Sequence, residues 1–137
     1  MIEESAPPPD PRIGKVLQDR YRILSKIASG AITKGDVLAV ARVAGIQAAK
    51  QTANMLPLCH PLLVGSVFVN FRLEEDHVEV ETQVDTVDRT GVEMEAMTAC
   101  TVAALTVYDM CKAVDGKMAI TELRLLHKTK LPDLPEG

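Results

Sequence analysis

The sequence predicts an α+β fold in which helices pack against one antiparallel sheet. Two segments alternate apolar and polar residues, as strands do, and two longer segments place apolar residues at helical spacing. The chain has 137 residues, of which 47% are hydrophobic, so it suits one domain and is too short for two. Aromatic residues make up only 3% and Trp is absent, so the core should be aliphatic.

Both ends of the chain are predicted to lie outside the domain. Residues 1–12 hold four prolines beside acidic residues and should form a disordered tail. Residues 130–137 form a Pro-bearing C-terminal tail, which leaves residues 13–129 as the single domain. The acidic N-terminus lacks the apolar segment of a signal peptide.

The domain is predicted to begin with a short strand and a short helix. Ile13–Gln18 could form the strand. Asp19 is a plausible N-cap for a helix with apolar residues at helical spacing, and Gly30 suits the position just past its end.

A longer helix should follow, from the segment 33–36 to about Asn54. Thr33 and Asp36 have the spacing of a capping box at its start. Its predicted packing face consists mostly of small residues, which suits close packing. Gly45 in the middle of this helix costs about 1 kcal/mol relative to Ala, so we expect it to permit the close approach of another element.

A hairpin, a third helix and a last strand complete the predicted domain. The strands of the hairpin are Val67–Leu73 and Val78–Val84, joined by a polar turn at residues 74–77. Val92–Val114 is apolar on nearly all sides, which predicts a helix buried in one core or against another subunit. Met118–Lys128 should form the last strand. The order strand, two helices, hairpin, helix, strand is close to the ferredoxin-like α/β sandwich.

Charge, apolar stretch length and cysteine usage argue against a nucleic-acid-binding protein, a membrane span and a disulfide-stabilised fold. The net charge is −4 and the sequence has no basic block, so we expect no nucleic-acid-binding groove. The most apolar stretch, Ala96–Tyr108, is shorter than the roughly twenty residues that span a membrane. Three cysteines without a CxxC pair favour a reducing cytoplasm over a disulfide framework.

Asp109 and Lys112 form the most informative polar pair. They lie three residues apart near the end of an apolar helix, so their side chains can meet. They could be a surface ion pair, which is common and contributes little stability. Alternatively, Asp109 could hold and tune a partly desolvated Lys112 for proton transfer.

Glu93 and Glu95 open the same helix. Carboxylates there could simply stabilise the positive end of the helix dipole. Glu95 lies fourteen residues before Asp109, or about 21 Å along a helix at about 1.5 Å per residue. If both ends carry catalytic groups, one small substrate can reach them only where two subunits build the site together.

His60 lies between two prolines on a stiff loop, beside Cys59. It could be a metal ligand, a proton donor or a packed loop histidine. We expect no metal site, because convergent partners at ligand-like spacing are missing. Four basic residues could together bind a polyphosphate, although no P-loop or GxGxxG motif accompanies them. These residues are Lys34, Arg42, Lys50 and Lys128.

Five segments of the sequence resemble the molybdenum cofactor biosynthesis protein C family. They occur in the order and at the spacings of that family and cover about residues 14–128. Each segment alone is weak, whereas five in register are specific. The segments are 34–37 (KGDV), 44–50 (AGIQAAK), 56–62 (LPLCHPL), 90–96 (TGVEMEA) and 108–114 (YDMCKAV).

The resemblance implies an activity and an assembly. Members of the family are cyclic pyranopterin monophosphate synthases, which convert 3′,8-cyclo-7,8-dihydroguanosine 5′-triphosphate to cyclic pyranopterin monophosphate and release pyrophosphate. This lyase reaction of molybdenum cofactor biosynthesis uses no metal and no organic cofactor. The resemblance also implies a ferredoxin-like chain that assembles as a homo-hexamer, a trimer of dimers, with composite sites at subunit interfaces.

The resemblance further implies a role for each candidate residue. Asp109 and Lys112 correspond to the central acid–base pair, and Lys34 to a second catalytic or phosphate-facing lysine. Lys128 corresponds to a basic residue near the phosphates. The residues that correspond to the pterin-binding loop and its completion are Leu58, Cys59, His60, Met94 and Glu95, with Glu93 nearby.

The sequence departs from the family at both ends. Residues 1–12 lack the Met-Val-Asp-Val-Ser segment of many bacterial members, and residues 128–133 replace a Gly-rich loop after the last strand. If that loop closes over the phosphates, substrate affinity or turnover should fall. Two alternatives stay open: a non-catalytic oligomeric paralogue that binds a pterin or nucleotide, and a purely structural partner of other proteins of the pathway.

Overall fold

Two helices and a two-stranded antiparallel sheet make up the part of the chain that the structure, a computed structural model, describes: residues 27, 30, 32, 34–86 and 91–126. The order is α1 (Val37–Met55), β1 (Val64–Leu73), β2 (Val78–Thr86) and α2 (Glu93–Cys111). The predicted α+β class is confirmed. Among these residues, neither helix combines the length and the apolar character that a membrane span requires.

Asp36 caps the first turn of α1. Its carboxylate accepts a hydrogen bond from the main-chain nitrogen of Ala39 at 3.2 Å. Asp36 is thus the N-cap itself and not the last residue of a capping box, whose Thr33 lies outside the described residues. The helix ends at Met55, one residue beyond the prediction.

The predicted hairpin is confirmed, with slightly longer strands. Val69 pairs with Thr82 in the middle of the two strands. The buried residues of the hairpin, Val69 and Val84, belong to the apolar sets of the predicted alternation. The opposite face carries polar side chains such as Arg72 and Glu79, which form an ion pair at 2.7 Å. The apolar face of the hairpin therefore packs against the helices.

Gly45 lies at a close approach of the two helices, as the sequence predicts. A Cβ atom at this position would lie 3.1 Å from the Ala99 carbonyl oxygen and 3.3 Å from Ala103 Cβ, both in α2. It would also lie 3.1 Å from a methyl group of Val69 on the sheet. Gly45 is therefore the point at which α1, α2 and β1 meet.

The core is aliphatic, as the composition predicts, and forms two clusters. The first contains Ile27, Ile32, Val37, Ala41, Val107, Met110 and Cys111. The second contains Ala49, Val84 and Ala99. Ile27, a residue of the predicted short helix, is helical and buried. The rest of that helix, apart from Gly30, and the predicted strand 13–18 lie outside the described residues.

The end of α2 and the segment after it differ from the prediction. Helix α2 ends at Cys111, where the main-chain nitrogens of Val114 and Asp115 both donate to the Cys111 carbonyl oxygen. The prediction of a last strand over Met118–Lys128 is wrong for residues 118–126, which form no strand. A strand needs a neighbour for its main-chain hydrogen bonds, and within the described residues this segment has none.

Candidate active site

Two lysines meet Asp109 at the C-terminal end of α2. Lys112 Nζ lies 3.1 Å from Asp109 Oδ1, one helical turn away. Lys34 Nζ, from the segment before α1, donates to the main-chain carbonyl oxygen of Asp109 at 3.1 Å. All three predicted catalytic residues therefore lie together in one chain, and we call them the lysine cluster.

The two lysines keep Asp109 ionised. The pKa of Asp109 is lowered, mainly by the hydrogen bond from Lys112 and next by the charge of Lys34. The side chains of Lys112 and Asp109 are 55% and 64% exposed, so the described residues do not provide the expected partial desolvation of Lys112. The lysine cluster is an open cationic surface that can receive an anion such as a phosphate.

Local structure explains how Lys34 reaches this position. Gly35 has a φ of 116°, a conformation that favours glycine, immediately before the Asp36 cap. Lys34, just before α1, contacts Asp109 in the last turn of α2, whereas Gly45 further along α1 lies against Ala99, which is earlier in α2. The two helices therefore run antiparallel.

A second group of polar residues surrounds a shallow cavity at the other end of α2, and we call it the Glu95 cavity. Its volume is about 120 Å³. It lies between the C-terminal half of α1, the loop after α1 and the first turn of α2. The lining residues are Ala49, Lys50, Ala53, Asn54, His60, Pro61, Leu62, Val64 and Glu95.

Glu95 is the buried acid of this cavity. Its exposed fraction is 3%, and Cys59 Sγ lies 3.8 Å from Glu95 Oε2 in hydrogen-bonding geometry. Burial raises the pKa of Glu95, and the neighbouring charge of Glu93 raises it further, against hydrogen bonds from its own main chain and from Cys59. Burial likewise raises the pKa of the Cys59 thiol, followed by the charge of Glu95.

The other predicted binding residues within the described part of the chain do not line the Glu95 cavity. Leu58 is 94% exposed, and Met94 is also exposed. Glu93 lies in the first turn of α2, beside Glu95. Lys128 lies outside the described residues. Of the predicted binding set, the structure thus brings together Cys59, His60 and Glu95 around the cavity.

Lys50 and Asn54 line the cavity although they were not among the predicted site residues. In the sequence, Lys50 is only one of four basic residues that could bind a polyphosphate, and the sequence alone does not locate it. The signal that locates it is the antiparallel packing of the helices, because the C-terminal half of α1 must then lie beside the N-terminal turn of α2.

The lysine cluster and the Glu95 cavity lie at opposite ends of one helix. Fourteen residues separate Glu95 from Asp109, which is about 21 Å at about 1.5 Å per residue. Within a single chain, the two groups therefore cannot contact the same reacting atom. In the described residues, no three His, Cys, Asp or Glu side chains are grouped as metal ligands.

A carboxylate paired with one lysine and close to a second, and a buried acid of raised pKa, are the groups of an acid–base enzyme. A model of the MoaC family matches residues 14–130. A cyclic pyranopterin monophosphate synthase of Heliobacterium modesticaldum is 54% identical over 120 residues, covering 85% of this chain and 74% of the relative. Another of the same name, from Desulfitobacterium hafniense, is 50% identical over 134 residues, covering 94% and 82%. The chain belongs to the MoaC family.

Proposed function

We propose that this chain is a cyclic pyranopterin monophosphate synthase of molybdenum cofactor biosynthesis. It converts 3′,8-cyclo-7,8-dihydroguanosine 5′-triphosphate to cyclic pyranopterin monophosphate and releases pyrophosphate. The identity to relatives of that name supports this function. The observation that carries it within this chain is the lysine cluster, in which Lys34 and Lys112 both contact Asp109.

The proposed reaction divides between the two groups of residues. Lys112 moves protons during rearrangement of the pterin ring and closure of the cyclic phosphate, and Asp109 orients it. Lys34 stabilises the triphosphate or serves as a second catalytic lysine. The open, cationic character of the lysine cluster supports a phosphate-facing role.

The pterin binds at the Glu95 cavity in this proposal. Cys59 and His60 come from the loop after α1. The raised pKa of Glu95 supports this assignment, because such a carboxyl can donate or accept a proton closer to neutral pH. Leu58, Met94 and Glu93 are assigned to the pterin on the family motif alone. Lys128 is assigned to the phosphates on the same basis.

The active site is composite in this proposal, with the lysine cluster of one subunit facing the Glu95 cavity of another. The separation of about 21 Å along α2 supports this, since one substrate cannot span both within a chain. The assembly we propose is a homo-hexamer, a trimer of dimers, of ferredoxin-like chains.

We further propose a cytoplasmic location. All three cysteines, Cys59, Cys100 and Cys111, are free thiols. Free thiols without disulfides fit a reducing compartment.

Turnover of freshly generated cyclic triphosphate tests the proposed function. The purified chain should release pyrophosphate and form cyclic pyranopterin monophosphate. Asp109→Asn and Lys112→Ala should each lower kcat by about 10²-fold or more, the range that positioned proton transfer contributes, while the oligomer survives. Lys117→Ala is the control, because Lys117 is an exposed lysine outside both groups. Binding without pyrophosphate release would instead identify a non-catalytic paralogue.

A further inference from the structure

The Cys59 thiol contacts the buried carboxyl of Glu95. Cys59 is on the loop after α1, and Glu95 is in the first turn of α2, 36 residues later in the chain. Cys59 Sγ lies 3.8 Å from Glu95 Oε2 and also 3.8 Å from the His60 main-chain oxygen, so its one hydrogen has two acceptors within reach. The Glu95 side chain is almost fully buried. A buried carboxyl needs hydrogen bonds to hold its orientation.

Cys59 is the one side chain that donates to the Glu95 carboxyl within the described part of the chain. Lys50 lines the same cavity but forms no ion pair with Glu95 there. The thiol contacts Oε2 from the loop, and the carboxyl also accepts a hydrogen bond from its own main chain. The titratable or polar groups that face Glu95 are Lys50 and Asn54 from α1, Cys59 and His60 from the loop, and Glu93 from α2.

We propose that Cys59 is a positioning residue, whose thiol orients the Glu95 carboxyl so that this carboxyl exchanges a proton with the substrate ring. This inference rests on the proposed function, because it assigns a task to a residue of the same site. It assigns no covalent or redox chemistry to the cysteine. The thiol keeps its hydrogen and acts only as a donor.

The hydrogen bond can be separated from simple packing by the choice of substitution. Cys59→Ser keeps a donor and loses volume, whereas Cys59→Val keeps volume and loses the donor. Loss of one hydrogen bond to a buried acid costs about tenfold in rate, so Cys59→Val should lower kcat by about tenfold. Cys59→Ser should stay within about threefold of the unmodified enzyme, since a hydroxyl can replace the thiol donor.

The pH profile gives a second readout that packing alone would not change. The thiol stabilises the charged form of Glu95, so its removal raises the pKa of that carboxyl further. In Cys59→Val the limb of the kcat profile that reports Glu95 should move to higher pH. Cys100→Ala is the matched control, because it removes a half-buried thiol that bonds to the Val80 carbonyl oxygen and does not touch Glu95.

A measurement without substrate separates this inference from the proposed function. Cys59 is alkylated with iodoacetamide across pH, and its peptide is quantified by mass spectrometry in the wild-type chain and in Glu95→Gln. The charge of Glu95 raises the pKa of Cys59, so the alkylation midpoint should fall in Glu95→Gln. The pH midpoint of alkylation reports the pKa of the thiol, whereas the accessibility of the thiol changes only the overall rate.

The outcomes are distinct. A lower midpoint in Glu95→Gln, together with full function in Cys59→Ser and impaired function in Cys59→Val, supports the positioning role. An unchanged midpoint, or Cys59→Val as active as the wild type with the same pH profile, overturns it. If the midpoint falls but no variant and no wild-type chain turns over the cyclic triphosphate, the contact is real and the proposed function is wrong.

Discussion

Lys34 Nζ lies 3.1 Å from the main-chain carbonyl oxygen of Asp109, although the two residues are 75 positions apart in the chain. That carbonyl belongs to the last turn of α2, where main-chain oxygens lack helical partners and cations are favoured by the helix dipole. The contact places a second ammonium group beside the Asp109–Lys112 pair. It also reflects the antiparallel packing of α1 and α2, from which the location of the Glu95 cavity follows.

Replacing Lys34 should affect activity much more than stability. Its contact is exposed, so Lys34→Ala should change the free energy of unfolding by less than about 1 kcal/mol. A lost hydrogen bond to a charged phosphate costs about 1.5–3 kcal/mol, or about 10–100-fold in kcat/KM. Pyrophosphate release and chemical denaturation of the same preparation measure both effects. Equal activity of Lys34→Ala and Lys117→Ala would contradict the assignment of Lys34 to the active site.

The titration of Asp109 should depend on Lys112. Because the folded chain lowers the Asp109 pKa, the ion pair stabilises the fold above the ordinary carboxyl pKa. That contribution is lost as the pH falls through the lowered value. Lys112→Ala removes the main cause of the shift, so the Asp109 carboxyl should titrate at higher pH. Carboxyl ¹³C NMR across pH measures this midpoint, and a midpoint that does not move would mean that Lys112 does not hold Asp109.

Gly45→Ala should destabilise the fold despite the better helix propensity of Ala. Propensity favours Ala by about 1 kcal/mol, whereas overpacking of a tight contact costs about 1–3 kcal/mol. The obstacle is the Ala99 main-chain oxygen, which cannot rotate away as a side chain can. Denaturant unfolding at fixed protein concentration should show a lower midpoint. Gln47→Ala, at an exposed position of the same helix, is the control, and equal midpoints would show that the helices can separate at no cost.

The cap of α1 should be separable from the charge of Asp36. Asp36→Ala removes the bond to the Ala39 nitrogen and should cost about 1 kcal/mol of stability. Asp36→Asn keeps an oxygen acceptor and should stay close to the wild type. Thermal unfolding of the two variants at fixed concentration measures the difference. Equal losses in both would assign the effect to charge instead of capping.

The sequence predicted those helices and strands whose pattern of apolar residues is visible within a short segment. Alternating apolar residues identified the hairpin around Val69 and Val84, and small residues around Gly45 identified a close helix contact. Helix ends were less exact, because the start of α1 depends on the single bond made by Asp36. The segment 118–126 has strand-like composition but no strand partner in the described residues, and a partner cannot be read from local pattern.

The site was predictable as a set of residues but not as an arrangement. The resemblance identified Lys34, Asp109 and Lys112, and the structure brings all three together. The Cys59–Glu95 contact depends on how the loop after α1 meets the first turn of α2. Tertiary packing alone sets that geometry, so no spacing in the sequence indicates it.

In the proposed assembly, Asp109 and Glu95 serve one active site from different subunits. Asp109→Asn and Glu95→Gln chains, each inactive alone, are therefore unfolded, mixed in equal amounts and refolded together. Random mixing makes a site intact when both of its contributing chains carry the native residue, so activity should return to about one quarter of wild type (½ × ½). Mixed oligomers that stay as inactive as either parent would contradict the composite site.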